Sequence, residues 1–269
     1  MLIKPYTTIL FFTMAALLFD SCQKTVHLDL NNAAPQIVIQ GEVTNDPGPY
    51  TITINKSTGF YSENTFPPVT GAVIKISDDQ GVTDSLTETS AGSYSTHILQ
   101  GTPGHTYTLS VITGNNTYSA ASTMPAPVNL DSISFRRSAF DTKQINAIPN
   151  FQDPVGIKNF YQFIEYINGV QFTKNIFVFS DRLSDGKYST LALRSDSSYF
   201  KVGDQLEIKM YCVDENVYNY FNELDQSSGT GAFNTTASPA NPASNISNGA
   251  YGYFSAHTTQ SKSAQVAVN

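Results

Sequence analysis

Short runs of alternating apolar and polar residues, each ended by Gly, Pro, Asn or Asp, most constrain the fold of this 269-residue chain. In residues 106–112, three large apolar side chains alternate with Thr and Ser, so one face of a strand is buried and the other is wet. Such runs recur about seven times before residue 124, at the spacing of a β-sandwich. Asn168-Gly169 separates two later runs and is a strong β-hairpin signal. The pattern predicts a mainly β protein.

A proline-rich segment, Met124-Pro125-Ala126-Pro127, interrupts the strand pattern. Proline cannot donate a hydrogen bond to a strand ladder, so this segment is expected to be a linker or an edge crossing. We therefore expect an Ig-like or prealbumin-like β-sandwich over residues 35–124. A second antiparallel β domain, carrying one α-helix, is expected over residues 128–258.

The helix of the second domain is predicted over residues 214–226. Asp214 can cap its N-terminus, and its apolar positions recur at helical spacing: Val217, Tyr220, Phe221 and Leu224. Residues 227–249 contain no charged residue and predict a long loop. A last strand is expected over residues 252–256, followed by a frayed tail over residues 259–269.

An apolar run from residue 9 to residue 19 follows Lys4 near the N-terminus. The run is shorter than the roughly 20 residues that span a bilayer. A positive charge before a short apolar run is typical of a secretory signal peptide. We therefore predict a signal peptide over residues 1–21.

The apolar run ends at Asp20-Ser21-Cys22, where a Cys follows a small residue. This ending resembles a bacterial lipobox, although Asp20 and Phe19 stand where a small residue and Leu are usual. The resemblance implies cleavage before Cys22 and acylation of Cys22, which anchors a protein firmly in a membrane. Residues 22–34 would then be a linker. The alternative is an ordinary cleaved signal with an unrelated Cys.

Composition excludes several classes of protein. The net charge of −7, with only 15 Lys and Arg, lacks the basic surface of a nucleic-acid-binding protein. The 40% of hydrophobic residues excludes a disordered chain. Two cysteines do not make a disulfide-rich scaffold. With Cys22 lipidated, Cys212 is expected to be a buried free thiol within a strand.

No known catalytic or metal-binding motif occurs in the sequence. G-x-S-x-G, the P-loop, H-E-x-x-H and C-x-x-C are all missing. The four histidines have no metal-ligand spacing: His27, His97, His105 and His257. Asp78-Asp79 could bind calcium or could be a solvated turn. We therefore predict no catalytic residues, no metal site and no cofactor.

A Ser- and Asn-rich loop contains Phe60, Tyr61 and Phe66. Exposed aromatic rings suit the recognition of sugars or protein segments. The alternative is a loop whose rings are buried against one end of the sandwich. The lack of Trp weakens the case for a glycan platform. The loop over residues 227–249 is the other candidate binding surface.

Several segments together resemble the family called domain of unknown function 4249. They are Ile37 to Val43, Pro49 to Ile52, Pro68 to Ile76, Gly92 to Tyr94, Gly104 to Leu109 and Asn241 to Phe254. The last resembles the family's C-terminal signature, with Ala243 where an aromatic residue is common. The first half alone is also similar to prealbumin-like and carboxypeptidase-regulatory-like sandwiches.

The resemblance implies a Bacteroidota-type outer-membrane lipoprotein, often encoded near TonB-dependent receptors. It supplies no catalytic residue, so only Cys22 is carried over. Residues 23–27 lack the acidic residues typical of surface-export tags, which leaves open which side of the membrane the protein faces.

We expect a non-enzymatic envelope lipoprotein that presents loops of its β domains to a ligand or protein. Its expected partner is a TonB-dependent outer-membrane transporter. Two alternatives remain at this point: a degradative or carbohydrate-active enzyme with an unrecognised site, and a structural or adhesive surface subunit.

The lipid anchor gives the first testable prediction. Radiolabelled palmitate should be incorporated into the wild-type protein but not into Cys22→Ala, because the lipid is attached through the sulfur of Cys22. The measurement is fluorography of the immunoprecipitated protein. Equal labelling of both proteins would contradict the lipobox interpretation.

Overall fold

A computed structural model describes residues 34–59, 65–139, 141, 143–193, 200–228 and 241–268. These residues belong to one compact unit, Ala34–Asn269. The strands of the described chain are β1 (Ile37–Thr44), β2 (Thr51–Lys56), β3 (Val73–Asp78), β4 (Thr83–Ser85), β5 (Thr87–Ser90), β6 (Ser93–Ser95), β7 (Thr106–Thr113), β8 (Asn116–Thr123), β9 (Leu130–Arg137), β10 (Ile145–Gln152), β11 (Phe160–Ile167), β12 (Val170–Ser180), β13 (Tyr188–Ser189), β14 (Gln205–Val213) and β15 (Tyr251–Gln265).

The strands form three sheets. The largest has the order β12-β11-β14-β15-β1-β2-β6-β5, and the others are β4-β3-β7-β8 and β13-β10-β9. Strands β1 and β15 pair in parallel, and the other ladders among the named strands are antiparallel. The predicted fold class is confirmed: the described chain is mainly β, consistent with a β-sandwich, and holds a single α-helix. The division into two domains stays a prediction.

Two large hydrophobic clusters fill the interior. The first joins β1, β2 and β15 to the four-stranded sheet, and its fully buried members include Ile52, Leu109 and Phe254. The second lies among β9, β10, β11 and β14, around Phe151 and Tyr161. Each strand supplies alternate side chains to its cluster, which explains the alternation in the sequence.

Cys212 belongs to the second cluster and is a buried free cysteine. Burial raises the pKa of its thiol, because a thiolate is unfavourable in an apolar environment. The predicted buried thiol is therefore confirmed.

Helix α1 (Glu215–Ser228) begins directly after Asp214. The Oδ1 atom of Asp214 accepts the backbone N–H of Val217 at 2.9 Å, which is the predicted N-terminal cap. Val217 and Tyr220 are buried, and the Tyr220 ring lies 5.1 Å from the ring of Tyr253 on β15. The apolar face thus docks on the large sheet, and the helix extends two residues beyond the predicted end.

The hairpin predicted at Asn168-Gly169 connects β11 and β12. Both residues have positive φ angles, 50° and 82°. A two-residue hairpin turn of this type requires such angles, and Asn and Gly tolerate them best.

The C-terminal strand is longer than the sequence predicts. Strand β15 ends at Gln265, paired with Gln205 of β14, and Val266 is fully buried. The predicted frayed tail over residues 259–269 is therefore wrong. The polar residues of this segment can form a strand because β14 satisfies the hydrogen bonds of the segment's backbone.

The C-terminal signature segment packs against the sandwich. Ile246 is buried in the first cluster. The Asn245 side chain accepts the N–H of Phe254 at 3.0 Å and donates to its carbonyl at 2.7 Å. Gly252 has a φ of 96°, and a Cβ there would lie 1.9 Å from the carbonyl oxygen of Ile39. These signature residues therefore have structural roles.

Gly252→Ala should destabilise the protein by about 2–5 kcal/mol. Positive φ strains an L-residue by about 1–2 kcal/mol, and the clash with β1 adds about 1–3 kcal/mol. Gly203→Ala is the matched control, because Gly203 has a φ of 99° and open space around it. Urea unfolding measures the free energy of unfolding of both variants. An equal loss in Gly252→Ala and Gly203→Ala would contradict the close approach of β15 to β1.

Asp84 is an almost completely buried carboxylate that accepts three backbone N–H groups. The donors are His97 and Ile98 at 2.7 Å and Leu99 at 2.9 Å. Burial alone would raise the pKa of Asp84, but these hydrogen bonds outweigh it and hold the pKa below its ordinary value.

A depressed folded-state pKa contributes stability above the unfolded pKa of about 3.9, and this stability is lost as pH falls through the folded pKa. Asp84→Asn should therefore lower stability at pH 7 by about 1.5–3 kcal/mol and flatten the acid limb of the stability curve. Denaturant unfolding from pH 7 to pH 2 measures both effects. The exposed Asp141→Asn serves as the control, and an unchanged acid limb in Asp84→Asn would oppose this account.

Candidate functional site

The structure describes only some of the site residues that were predicted from the sequence. Cys22, Phe60 and Tyr61 lie outside the described residues. Phe66 is 58% exposed. Of the loop over residues 227–249, the described part from residue 241 contributes buried Ile246 to the first cluster. Whether these loops bind anything stays a prediction.

Two loops that the sequence analysis did not single out lie side by side in the structure. Residues 153–159 connect β10 to β11, and residues 181–187 connect β12 to β13; we call them the acidic loop pair. The N–H of Asp153 donates to the carbonyl of Lys187, and the N–H of Asp181 donates to the carbonyl of Asn159, each at 3.2 Å. The loops are therefore joined at both ends by backbone hydrogen bonds.

Three aspartates add side-chain links between the loops. Asp153 Oδ2 accepts the N–H of Gly186 at 2.9 Å. Asp181 Oδ2 accepts the N–H of Asn159 at 2.8 Å. Asp185 Oδ1 accepts the N–H of Gly156 at 2.8 Å. Each carboxylate thus satisfies a backbone donor of the opposite loop, which restrains both loops.

Negative charge is concentrated where these aspartates meet. One oxygen from each of Asp153, Asp181 and Asp185 lies within 4.8 Å of the others, and the first two residues are buried. Burial raises the pKa of Asp181, and the charges of the other two carboxylates raise it further. The ion pairs of the described chain, His97–Asp84, His105–Asp79 and Lys158–Glu215, include none of the three.

Tyr161 on β11 supports the aspartates from the protein interior. Its hydroxyl donates to Asp153 Oδ1. Burial raises the pKa of Tyr161 well above its ordinary value, and the Asp153 carboxylate raises it further. Tyr161 therefore stays a neutral donor that fixes one oxygen of Asp153.

The acidic loop pair also exposes three large apolar side chains. Val155 is 78% exposed, Ile157 57% and Leu183 86%. Leu183 also lines a cleft of about 670 Å³ between β12 and α1. The other lining residues are Lys158, Phe160, Val178, Phe179, Ser180, Arg182, Ser184, Glu215, Tyr218, Asn219 and Asn222. The loop pair thus combines clustered carboxylates, three exposed apolar side chains (which we call the apolar rim) and an adjoining cleft lined by apolar and polar residues.

A Ser–His pair occurs elsewhere, on β15. Ser255 Oγ lies 2.9 Å from His257 Nδ1, but the two residues are only 1% and 2% exposed. The Tyr211 ring stacks on His257 at 4.4 Å, and burial lowers the pKa of His257. A substrate could not reach this pair without a rearrangement, so it does not form a candidate active site.

The Asp78-Asp79 turn has protein partners for its carboxylates. Asp78 Oδ1 accepts the N–H groups of Gln80 and Val82 at 3.0 and 2.8 Å. Asp79 Oδ1 hydrogen-bonds to His105 Nδ1 at 2.7 Å. Of the two interpretations that the sequence allows, a calcium site and a solvated turn, this geometry favours the turn.

Sequence reasoning missed the acidic loop pair because its residues form no motif. Asp153 and Asp181 lie on separate connections, and only the pairing of β11 with β12 brings these connections together. Asp181 and Asp185 have a helical spacing, yet they lie in and just after a short 3₁₀ turn (Asp181–Leu183). No local signal in the sequence could have found this grouping.

Over its described residues, the fold therefore defines a mainly β protein with one docked helix. The family model described as "Domain of unknown function (DUF4249)" matches residues 23–263. The chain belongs to this family, as the resemblance of its segments indicated.

Other comparisons add little about function. No curated protein matches the chain. Among solved structures, the adhesin InvE of Yersinia pseudotuberculosis is similar at a TM-score of 0.22 and 18% identity, over 65% of this chain and 55% of that one. The chain thus spans about half the length of that structure. In the described chain, no helix has the length and hydropathy needed to cross a bilayer.

Proposed function

We propose that this chain is a non-enzymatic lipoprotein of the bacterial outer membrane that binds a protein partner through the acidic loop pair. The partner is a TonB-dependent outer-membrane transporter, and a lipid on Cys22 holds the chain at the membrane. The observation that carries the proposal is the exposure of Val155, Ile157 and Leu183 on two mutually restrained loops.

The apolar rim supports a protein partner on energetic grounds. Burying a side chain of this size contributes about 1.5–3 kcal/mol, and a few adjacent anchors carry most of the energy of an interface. The hydrogen bonds made by Asp153, Asp181 and Asp185 hold the loops before binding. Less conformational entropy is therefore lost when the partner binds.

The adjoining cleft supports the same conclusion. Phe160 and Tyr218 both line the cleft, with ring centroids 4.9 Å apart. The ion pair between Lys158 and Glu215 lies at its edge at 3.0 Å. An apolar centre with a polar rim is the usual arrangement of a protein interface. A partner segment that covers Leu183 would extend into this cleft.

Site-specific photo-crosslinking in cells that natively express the protein tests this function. A crosslinker at position 183 should capture an outer-membrane transporter, because Leu183 would lie inside the interface. A crosslinker at position 98 is the control, since Ile98 is 71% exposed but lies outside the acidic loop pair.

The double variant Val155→Ser, Leu183→Ser should reduce co-purification of the captured transporter at least tenfold, the loss expected from about 1.4 kcal/mol. Its melting temperature should match that of the wild type, since both side chains are exposed. Equal capture from positions 183 and 98, or capture of no outer-membrane protein from position 183, would refute the proposal.

A further inference from the structure

The acidic loop pair retains oxygen atoms that protein donors do not use. Asp153 uses both carboxylate oxygens, for Tyr161 and Gly186. Within the described chain, Oδ1 of Asp181 and Oδ2 of Asp185 receive no hydrogen bond from another residue. Each of these two carboxylates therefore has one oxygen available to a ligand.

Asn159 supplies a second, independent observation. The residue is only 7% exposed, and its Oδ1 atom is buried with no hydrogen-bond partner. A buried oxygen acceptor without a partner is unfavourable. Binding a cation through the Oδ1 atom of Asn159 would remove this penalty.

The strand ladder places Asn159 opposite Asp181. The register pairs Phe160 with Ser180, and the hydrogen bonds between Asn159 and Asp181 continue it by one residue. Residues directly opposite in an antiparallel ladder point their side chains to the same face. Tyr161, two residues after Asn159, lies on that face too, and its hydroxyl contacts Asp153.

We infer that Asp153, Asp181, Asp185 and the Oδ1 atom of Asn159 bind one calcium ion. Two oxygens bound to the same calcium at about 2.4 Å lie at most about 4.8 Å apart. The oxygens of the three aspartates lie within 4.8 Å of one another.

The chemistry of the donor set selects calcium. All four ligands are oxygens, and no imidazole or thiolate is among them, so zinc and copper are disfavoured. Calcium accepts six to eight oxygens in a flexible arrangement, whereas magnesium requires a near-ideal octahedron. Asp185 is exposed, so water can complete the coordination. The inference does not depend on the proposed partner, because calcium binding needs only this chain.

Isothermal titration of the purified protein with calcium chloride tests the inference. A Kd of about 10⁻⁴–10⁻³ M is expected, as in extracellular calcium modules. At about 100 times the Kd, calcium should raise the melting temperature by about 5–10 °C. Magnesium chloride at the same concentration should raise it by less than about a quarter of that amount, because its geometry fits poorly.

Asp185→Asn should weaken calcium binding at least about tenfold, because the site loses one of three charged ligands. Asp185 is exposed, so this variant should fold, and circular dichroism checks it. Asp79→Asn is the matched control, because Asp79 is an acidic residue of another turn and its carboxylate already contacts His105. It should bind calcium as the wild type does.

Terbium luminescence locates the ion. Terbium replaces calcium and emits when a nearby tyrosine is excited, and the chain has no Trp to interfere. The hydroxyl of Tyr161 contacts Asp153, so Tyr161→Phe should remove most of the emission per bound terbium ion, with the bound amount measured by titration of the same variant. No calcium binding at 10 mM (about ten times the weakest expected Kd), an unchanged Kd in Asp185→Asn, or an equal effect of magnesium would each overturn the inference.

Discussion

Strand β15 is hydrogen-bonded on both edges, and the continuity of the large sheet depends on this double pairing. It runs parallel to β1 and antiparallel to β14. Phe254 enters the first hydrophobic cluster, whereas Val266 enters the second. The hydroxyl of Tyr253 also donates to Glu42, 211 residues earlier in the chain. Closing a loop of this length is entropically unfavourable, and the hydrogen bonds and buried side chains of β15 offset that cost.

The segment from Asn241 to Phe254, which resembles the family's C-terminal signature, supports this pairing. Asn245 hydrogen-bonds to the backbone of Phe254 through its side-chain amide, and Gly252 allows β15 to approach the carbonyl of Ile39. Neither residue contributes to the acidic loop pair. The most specific segment of the sequence therefore serves the architecture, and the candidate binding chemistry lies in loops that the family resemblance did not single out.

The acidic loop pair depends on the register of the ladder between β11 and β12. That register places Asn159 opposite Asp181. A shift of one residue would turn the side chains of one strand to the other face of the sheet, and the aspartates would no longer meet. The hairpin at Asn168-Gly169 sets the pairing only at the other end of the ladder, because the register shifts between Phe163 and Glu165. The meeting of the aspartates therefore depends on this irregularity as well as on the hairpin.

The sequence by itself determined the features that arise from neighbouring residues. The alternation in residues 106–112, the hairpin at Asn168-Gly169 and the capped helix that begins after Asp214 are all local, because each depends on backbone preferences and contacts within a few residues. Only the tertiary structure decided which strands pair, how far β15 extends and that Asp153, Asp181 and Asp185 meet. Those outcomes depend on contacts between distant segments, and no local pattern records which distant segment will satisfy a strand edge or approach a carboxylate.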